Sequence, residues 1–101
     1  MNIDGTYAVS ALVGSTWRRG TARIVTVDGQ AHMSLDAPVV GKVSARGTAA
    51  ADGSFSVSGK LRVLFKTVAY SVSGQVDADG TLKAVCTTDA GSAQVIGVRL
   101  P

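Results

Sequence analysis

The chain of 101 residues predicts a single all-β domain, a small closed up-and-down barrel of eight antiparallel strands. Apolar and polar residues alternate with a period of two, most clearly in Phe55–Lys60 and Tyr70–Gln75, which repeat the pattern aromatic-Ser-Val-Ser-Gly. Fifteen valines and the absence of glutamate favour strands over helices. Four Asp-Gly pairs supply turns between these segments.

The predicted strands follow one another through short turns. In chain order they are Thr6–Val13, Thr21–Val27, Ala31–Leu35, Val39–Ala49, Ser54–Leu64, Val68–Val76, Thr81–Thr88 and Ala93–Leu100. Eight consecutive strands must bury one face and hide two edges, and closure into a barrel does both. A two-sheet sandwich remains the alternative, because periodicity does not report closure.

The first half of the chain contains one long predicted connection. The first strand directs Tyr7, Val9, Ala11 and Val13 inward, and Gly14–Gly20 then forms a loop bounded by glycines. The second strand turns at Asp28-Gly29 into the third, which directs Ala31, Met33 and Leu35 inward and leaves His32 on the wet face. Asp36-Ala-Pro38 ends this strand, since proline cannot donate to a ladder. Gly41 and Gly47 in the fourth strand indicate a bulge or sharp coiling.

The second half of the chain is more regular. After Asp52-Gly53, the fifth strand directs Phe55, Val57, Gly59, Leu61 and Val63 inward, and the sixth repeats this with Val68, Tyr70, Val72, Gly74 and Val76. The turn between them is placed at Phe65-Lys66-Thr67. Asp79-Gly80 leads into a strand with Leu82, Ala84 and Cys86 inward. Asp89–Ser92 then turns into a last strand with Ile96, Val98 and Leu100 in the core.

These inward residues define the predicted barrel interior. Its larger members are Tyr7, Met33, Phe55, Val57, Tyr70, Val72, Leu82 and Cys86. Eight strands leave an interior that side chains can just fill, so we expect a packed core. The alternative is a hollow barrel that carries one small apolar ligand.

Composition and charge narrow the function classes. The net charge of +3 is spread along the chain, which makes nucleic acid an unlikely partner. No apolar run approaches the roughly 20 residues that span a bilayer, so we expect no membrane partner. The N-terminus lacks the pattern of a signal peptide, so we expect a cytoplasmic protein.

No catalytic constellation emerges from the reactive residues, so we predict a protein that is not an enzyme. His32 and Cys86 fall on opposite faces by parity, and a buried cysteine behaves as a small hydrophobe. Most aspartates belong to turns, where they cap the backbone. We expect no cofactor, and a lone histidine and a lone cysteine give no metal site.

The clearest local feature is Trp17-Arg18-Arg19, placed in the loop between the first two strands. Tryptophan and arginine are enriched in interface hot spots, so these three residues are the interaction candidates. The alternative for Trp17 is a plug folded over the barrel mouth.

The order of these features resembles the GrlR family of small bacterial regulators of type III secretion. The shared frame runs from Asp4-Gly5-Thr6-Tyr7 through Gly20, Asp28-Gly29, a Gly41 region and Asp52-Gly53 to Tyr70–Gly74 and a final hairpin. The resemblance implies a calycin or lipocalin-type barrel, a homodimer, and repression by binding a transcriptional activator protein. The family's best-known member meets its partner through an acidic run between two mid-chain strands. The corresponding turn here, Ala49–Ser54, keeps only Asp52 of that run, so the partner contact does not transfer.

Overall fold

The barrel consists of eight consecutive strands. The computed structural model describes residues 2–38, 41–63 and 65–101, and they contain no helix. The strands are β1 (Gly5–Val13), β2 (Thr16–Val27), β3 (Gln30–Ala37), β4 (Gly41–Ala49), β5 (Ser54–Val63), β6 (Lys66–Val76), β7 (Thr81–Thr88) and β8 (Gly91–Arg99). Each strand pairs antiparallel with the next, and β1 also pairs with β8, so the sheet closes. The predicted barrel is confirmed, and the sandwich alternative is wrong.

The repeated sequence pattern pairs with itself across β5 and β6. Because these strands are antiparallel, Phe55 lies opposite Gly74 and Tyr70 lies opposite Gly59, with Val57 opposite Val72. The Tyr70 ring covers Gly59 so closely that an added Cβ would lie 3.0 Å from the Tyr70 hydroxyl. That hydroxyl donates to the Ser44 carbonyl on β4 at 3.1 Å. Tyr70 therefore occupies the space that Gly59 leaves free, whereas Gly74 allows the close approach of Ala84 and the Lys83 carbonyl on β7.

One apolar core lies inside the barrel. Its buried members are Ile3, Tyr7, Val9, Ala22, Ile24, Ala31, Met33, Ala45, Phe55, Val57, Tyr70, Val72, Val76, Leu82 and Ala84. The predicted inward parity of β3, β5, β6 and β7 is confirmed where the structure describes the side chains. Gly47 pairs in continuous register with both neighbouring strands, so it is no bulge. A Cβ there would collide with the Ser56 carbonyl, which makes it a site of close backbone approach.

All four Asp-Gly pairs lie at one end of the barrel, which we call the turn end. Asp28 and Gly29 both have positive φ (52° and 77°), as a two-residue hairpin turn requires. Each connection at this end also hydrogen-bonds the end of a neighbouring strand. The Gly29, Gly53 and Gly80 carbonyls accept from the N–H groups of Ala49, Val76 and Arg99 at 2.9 Å each, and Asp4 Oδ1 accepts from the Thr26 N–H at 2.7 Å. These four contacts form a ring around the turn end.

The opposite end, which we call the hairpin end, carries two projecting hairpins. The β1–β2 ladder continues past Ala11, the last β1 residue paired with β8, as far as Val13 and Thr16. The β5–β6 ladder likewise continues past Gly59, the last β5 residue paired with β4. Two strands separate these hairpins on either side of the barrel, so they stand on opposite sides of its opening.

Two predicted connections are shorter in the structure than the sequence indicated. The expected loop Gly14–Gly20 is wrong, because β2 begins at Thr16 and leaves only Gly14-Ser15 as the turn. Similarly, Lys66 and Thr67 belong to β6 rather than to a turn. In both cases the projecting ladders extend the strands beyond the barrel wall, which sequence alternation does not reveal.

Smaller corrections concern strand ends. The strand ends at Pro38 as expected, but Asp36 and Ala37 still belong to β3, so the predicted end at Leu35 is two residues early. The last turn is only Asp89-Ala90, because β8 begins at Gly91. The predicted start of the fourth strand at Val39 and the predicted end of the fifth at Leu64 lie outside the described residues. Val13 has inward parity but is 55% exposed, since it lies beyond the closed part of the barrel.

The inward face of β8 was predicted wrongly. Ile96, Val98 and Leu100 are 41%, 56% and 45% exposed and point outward. Gly97 and Arg99 occupy the inward parity instead. The interior is narrow here, since a Cβ on Gly97 would lie 2.8 Å from Val9 Cγ1. Of the apolar side chains of β8, Val95 packs against the core, whereas Ile96 and Val98 face outward.

Candidate interaction site

The predicted interior residues form the core. Cys86 is half-buried and packs against the core. The other seven of the eight candidates are buried: Tyr7, Met33, Phe55, Val57, Tyr70, Val72 and Leu82. Burial raises the pKa of the Cys86 thiol and that of the Tyr70 hydroxyl, so both groups stay protonated at neutral pH. Because these side chains pack against one another, the interior favours a packed core over a hollow carrier.

The turn end is closed by a hydrogen-bonded cluster that the sequence did not predict. Tyr7 is fully buried, and its hydroxyl donates to the Ile3 carbonyl at 2.7 Å. The same hydroxyl accepts from Arg99 Nη2 at 2.9 Å and from Nε at 3.2 Å, while Nη2 also donates to the Asn2 carbonyl. The guanidinium lies 5.5 Å from the centre of the Tyr7 ring. The plug of the barrel is therefore Ile3 with Tyr7 and Arg99, at the end opposite to Trp17.

The side of the barrel formed by β7, β8 and β1 is unusually poor in charge, and we call it the lateral face. Its outward residues are Thr81, Lys83, Val85, Thr87, Ser92, Gln94, Ile96, Val98, Leu100, Thr6, Ala8, Ser10 and Leu12. Lys83 is the only charged residue among them. In contrast, the outward residues of β2–β4 include Arg19, Arg23, Asp36, Lys42 and Arg46.

The three interaction candidates point in different directions. Trp17 is 46% exposed and lies opposite Leu12 on the outer surface, at the edge of the lateral face. Arg19 shares this outward parity, whereas Arg18 pairs with Ala11 on the inward parity. All three lie in strand β2 and not in a loop. Because successive side chains of a strand point to opposite faces, the three do not form the continuous surface that the sequence suggested. The sequence did not predict that Ile96, Val98 and Leu100 form an exposed apolar strip. Their alternation in sequence is equally compatible with an inward or an outward orientation, so it could not identify the exposed face.

The two reactive residues singled out in the sequence, His32 and Cys86, lie on opposite faces of the barrel wall. His32 is exposed and lies opposite Arg46 on the outer surface, while Cys86 points inward. Within the described ranges, no three His, Cys, Asp or Glu side chains come together as metal ligands.

Two shallow clefts open on the surface. One of about 490 Å³ crosses β1–β4 and is lined by hydroxyl groups and by Arg23, Asp36 and Lys42. The other, of about 430 Å³, lies beside the β4–β5 turn at Thr48–Ala50 and Ser54–Ser56.

Comparison with known proteins assigns no family to this barrel. No protein-family model, no curated protein and no solved structure matches the chain. In the part of the chain that the structure describes, no helix has the length and apolar character needed to cross a membrane.

Proposed function

We propose that the chain is a non-enzymatic regulatory barrel that acts by protein–protein contact and works as a homodimer. The lateral face is the observation that carries this proposal. Contiguous exposed apolar surface on a small barrel marks an interaction surface, and two outward residues of β8, Ile96 and Val98, with Leu100 just after the strand, are large and apolar. The resemblance to GrlR regulators makes a transcriptional activator protein the candidate regulatory partner.

Charge supports a second copy of the chain as the occupant of the lateral face. A two-fold contact brings each patch against its own copy, so charged patches would meet like charges. The outward residues of β2–β4 include four cations, Arg19, Arg23, Lys42 and Arg46, against Asp36, so a two-fold contact there would bring like charges together. The lateral face carries one charge, Lys83 opposite Ile96, so a two-fold contact that keeps the Lys83 ammonium at its solvated rim can desolvate Ile96 and Val98 with little repulsion.

Site-directed photo-crosslinking tests the proposal. The photoreactive residue p-benzoylphenylalanine is placed at Val98 on the lateral face or, as the matched control, at the exposed Ser73 on β6. We expect the purified chain to give an adduct of twice its mass from position 98 and none from position 73. In cells, position 98 should give the same adduct.

The alternative outcomes separate the parts of the proposal. An adduct with another protein from position 98, with no dimer in the purified chain, would replace the homodimer by a heterologous complex. The absence of any protein adduct from position 98, in either setting, would overturn the assignment of the lateral face.

A further inference from the structure

The two projecting hairpins end in exposed apolar side chains. Phe65, in the turn immediately before β6, is 97% exposed, and Val13 and Trp17 on the β1–β2 hairpin are 55% and 46% exposed. These residues contribute little to the core, because the hairpins extend beyond the closed part of the barrel. Fully exposed phenylalanine at the tip of a convex projection has no structural role within this chain.

The same hairpins are basic and contain no acidic residue. Residues 12–20 and 60–69 contain Arg18, Arg19, Lys60, Arg62 and Lys66, and no Asp or Glu. The turn end has the opposite character, since five of the seven aspartates lie there: Asp4, Asp28, Asp52, Asp77 and Asp79. The barrel is thus a dipole whose positive end carries the exposed aromatic residues. An anionic surface would orient the molecule with both hairpins toward it.

We propose that the hairpin end docks on the surface of an anionic lipid bilayer, with Phe65 and Trp17 at the level of the headgroups. Aromatic side chains favour this interface, and each nearby Lys or Arg is attracted to anionic lipid. Stable surface attachment needs an apolar and an electrostatic contribution together, and each hairpin offers both.

Shape favours a bilayer over an acidic protein as the occupant. The tips stand on opposite sides of the barrel opening and are convex, so a protein would need two separate pockets to receive them. A bilayer surface accepts both tips without complementary pockets. The site meets the edge of the lateral face at Leu12 and Trp17, whereas the β5–β6 hairpin with Phe65 lies on the other side of the barrel. It departs from the expectation of no membrane partner, which rested on the lack of a spanning segment.

Vesicle binding by the purified full chain tests this inference. Vesicles of phosphatidylcholine alone are compared with vesicles that also contain about 30% phosphatidylglycerol as the anionic lipid. Trp17 is the only tryptophan, so its emission reports the environment of the hairpin end directly. We expect co-sedimentation and a blue shift with the anionic vesicles only, and both should weaken as salt screens the charges.

Variants assign the binding to the hairpin tips. Phe65→Ser should weaken the affinity for anionic vesicles about tenfold, because it removes one buried aromatic ring. Arg62→Ser should weaken it about fivefold, the effect of one cation near the surface. The matched controls are Val27→Ser, at a 59%-exposed position of the turn end, and Lys83→Ser on the lateral face. Both controls should bind as the parent chain does.

Three results would overturn the inference. The first is the absence of binding to anionic vesicles, and the second is equal binding to both vesicle types. The third is equally tight binding to poly-aspartate or duplex DNA with no effect of Phe65→Ser, which would show an acidic protein or nucleic acid as the target. All four substitutions lie at exposed positions, and an unchanged unfolding midpoint confirms that each variant folds.

Discussion

The strands of this barrel end differently at its two ends. At the turn end, connections and the first residues of the chain fold back onto neighbouring strands, and Ile3, Tyr7 and Arg99 fill the opening. At the hairpin end, β1–β2 and β5–β6 continue into solvent as two-stranded ladders. An isolated two-stranded ladder is only marginally stable, so the hairpin end is held by far fewer interactions.

The two ends also differ in the side chains that they bury and expose. Buried aromatic packing and the ring of turn contacts concentrate at the turn end, where a change costs folding free energy. The exposed aromatic residues Trp17 and Phe65 and five basic residues lie on the projecting hairpins, where a change leaves the core intact. Low local stability is typical of surfaces that adapt to a partner.

The largest expected contrast is between Tyr7 and Trp17. Tyr7→Ala should lower the free energy of unfolding by about 3–5 kcal/mol, because it empties a fully buried site and removes the hydrogen bonds to Ile3 and Arg99. Trp17→Ala should cost less than about 1 kcal/mol at its half-exposed position. Urea unfolding followed by far-ultraviolet circular dichroism measures both. Equal losses would contradict the division between the two ends; if Tyr7→Ala does not fold, Tyr7→Phe should still lose about 1–2 kcal/mol.

A smaller effect is expected from the ring of turn contacts. Asp4 Oδ1 accepts hydrogen bonds from both the backbone N–H and the hydroxyl of Thr26, at 2.7 and 2.6 Å. Asp4→Ala should therefore lower the free energy of unfolding by about 1–2 kcal/mol. Asp89→Ala, in the β7–β8 turn of the hairpin end, should change it by less than about 0.5 kcal/mol. A double-mutant cycle with Thr26→Val should show coupling, and additive losses would argue that the contact contributes nothing.

The smallest expected effect is a pH dependence at the turn end. The hydroxyl and N–H of Ser54 lower the pKa of Asp52, and the N–H and hydroxyl of Thr81 lower that of Asp79, each from an ordinary value of 3.8. A carboxyl whose pKa is lowered by folding stabilises the fold above its unfolded value, and this stabilisation is lost as pH falls through the folded value. Stability should thus decline below pH 3.8, and less steeply in the Asp52→Asn, Asp79→Asn double variant. Identical pH profiles would show that these contacts do not contribute.

Much of the fold was predictable because strand alternation and turn chemistry are local. Asp52-Gly53 and Asp79-Gly80 marked true turns, and Phe55 and Tyr70 marked the inward parity of β5 and β6. The inward face of β8 was predicted wrongly because both faces of this strand carry apolar residues, so alternation alone did not identify the inward one. The inward position of Arg99 was not predicted either. A cation on the inward face is stabilised there by its hydrogen bond to the Tyr7 hydroxyl, a residue far away in the sequence.

The sequence by itself determined the all-β class, the number of strands and the positions of the Asp-Gly turns, because each depends on neighbours a few residues apart. The tertiary structure alone decided that β1 pairs with β8, that the repeated pattern of Phe55 and Tyr70 is a matched pair, and that Trp17 stands on a strand that projects from the barrel. It also decided which end of the barrel is filled by side chains and which face of β8 is exposed to solvent. These outcomes depend on contacts between residues far apart in the chain, where the space inside a closed sheet determines which side chain fits.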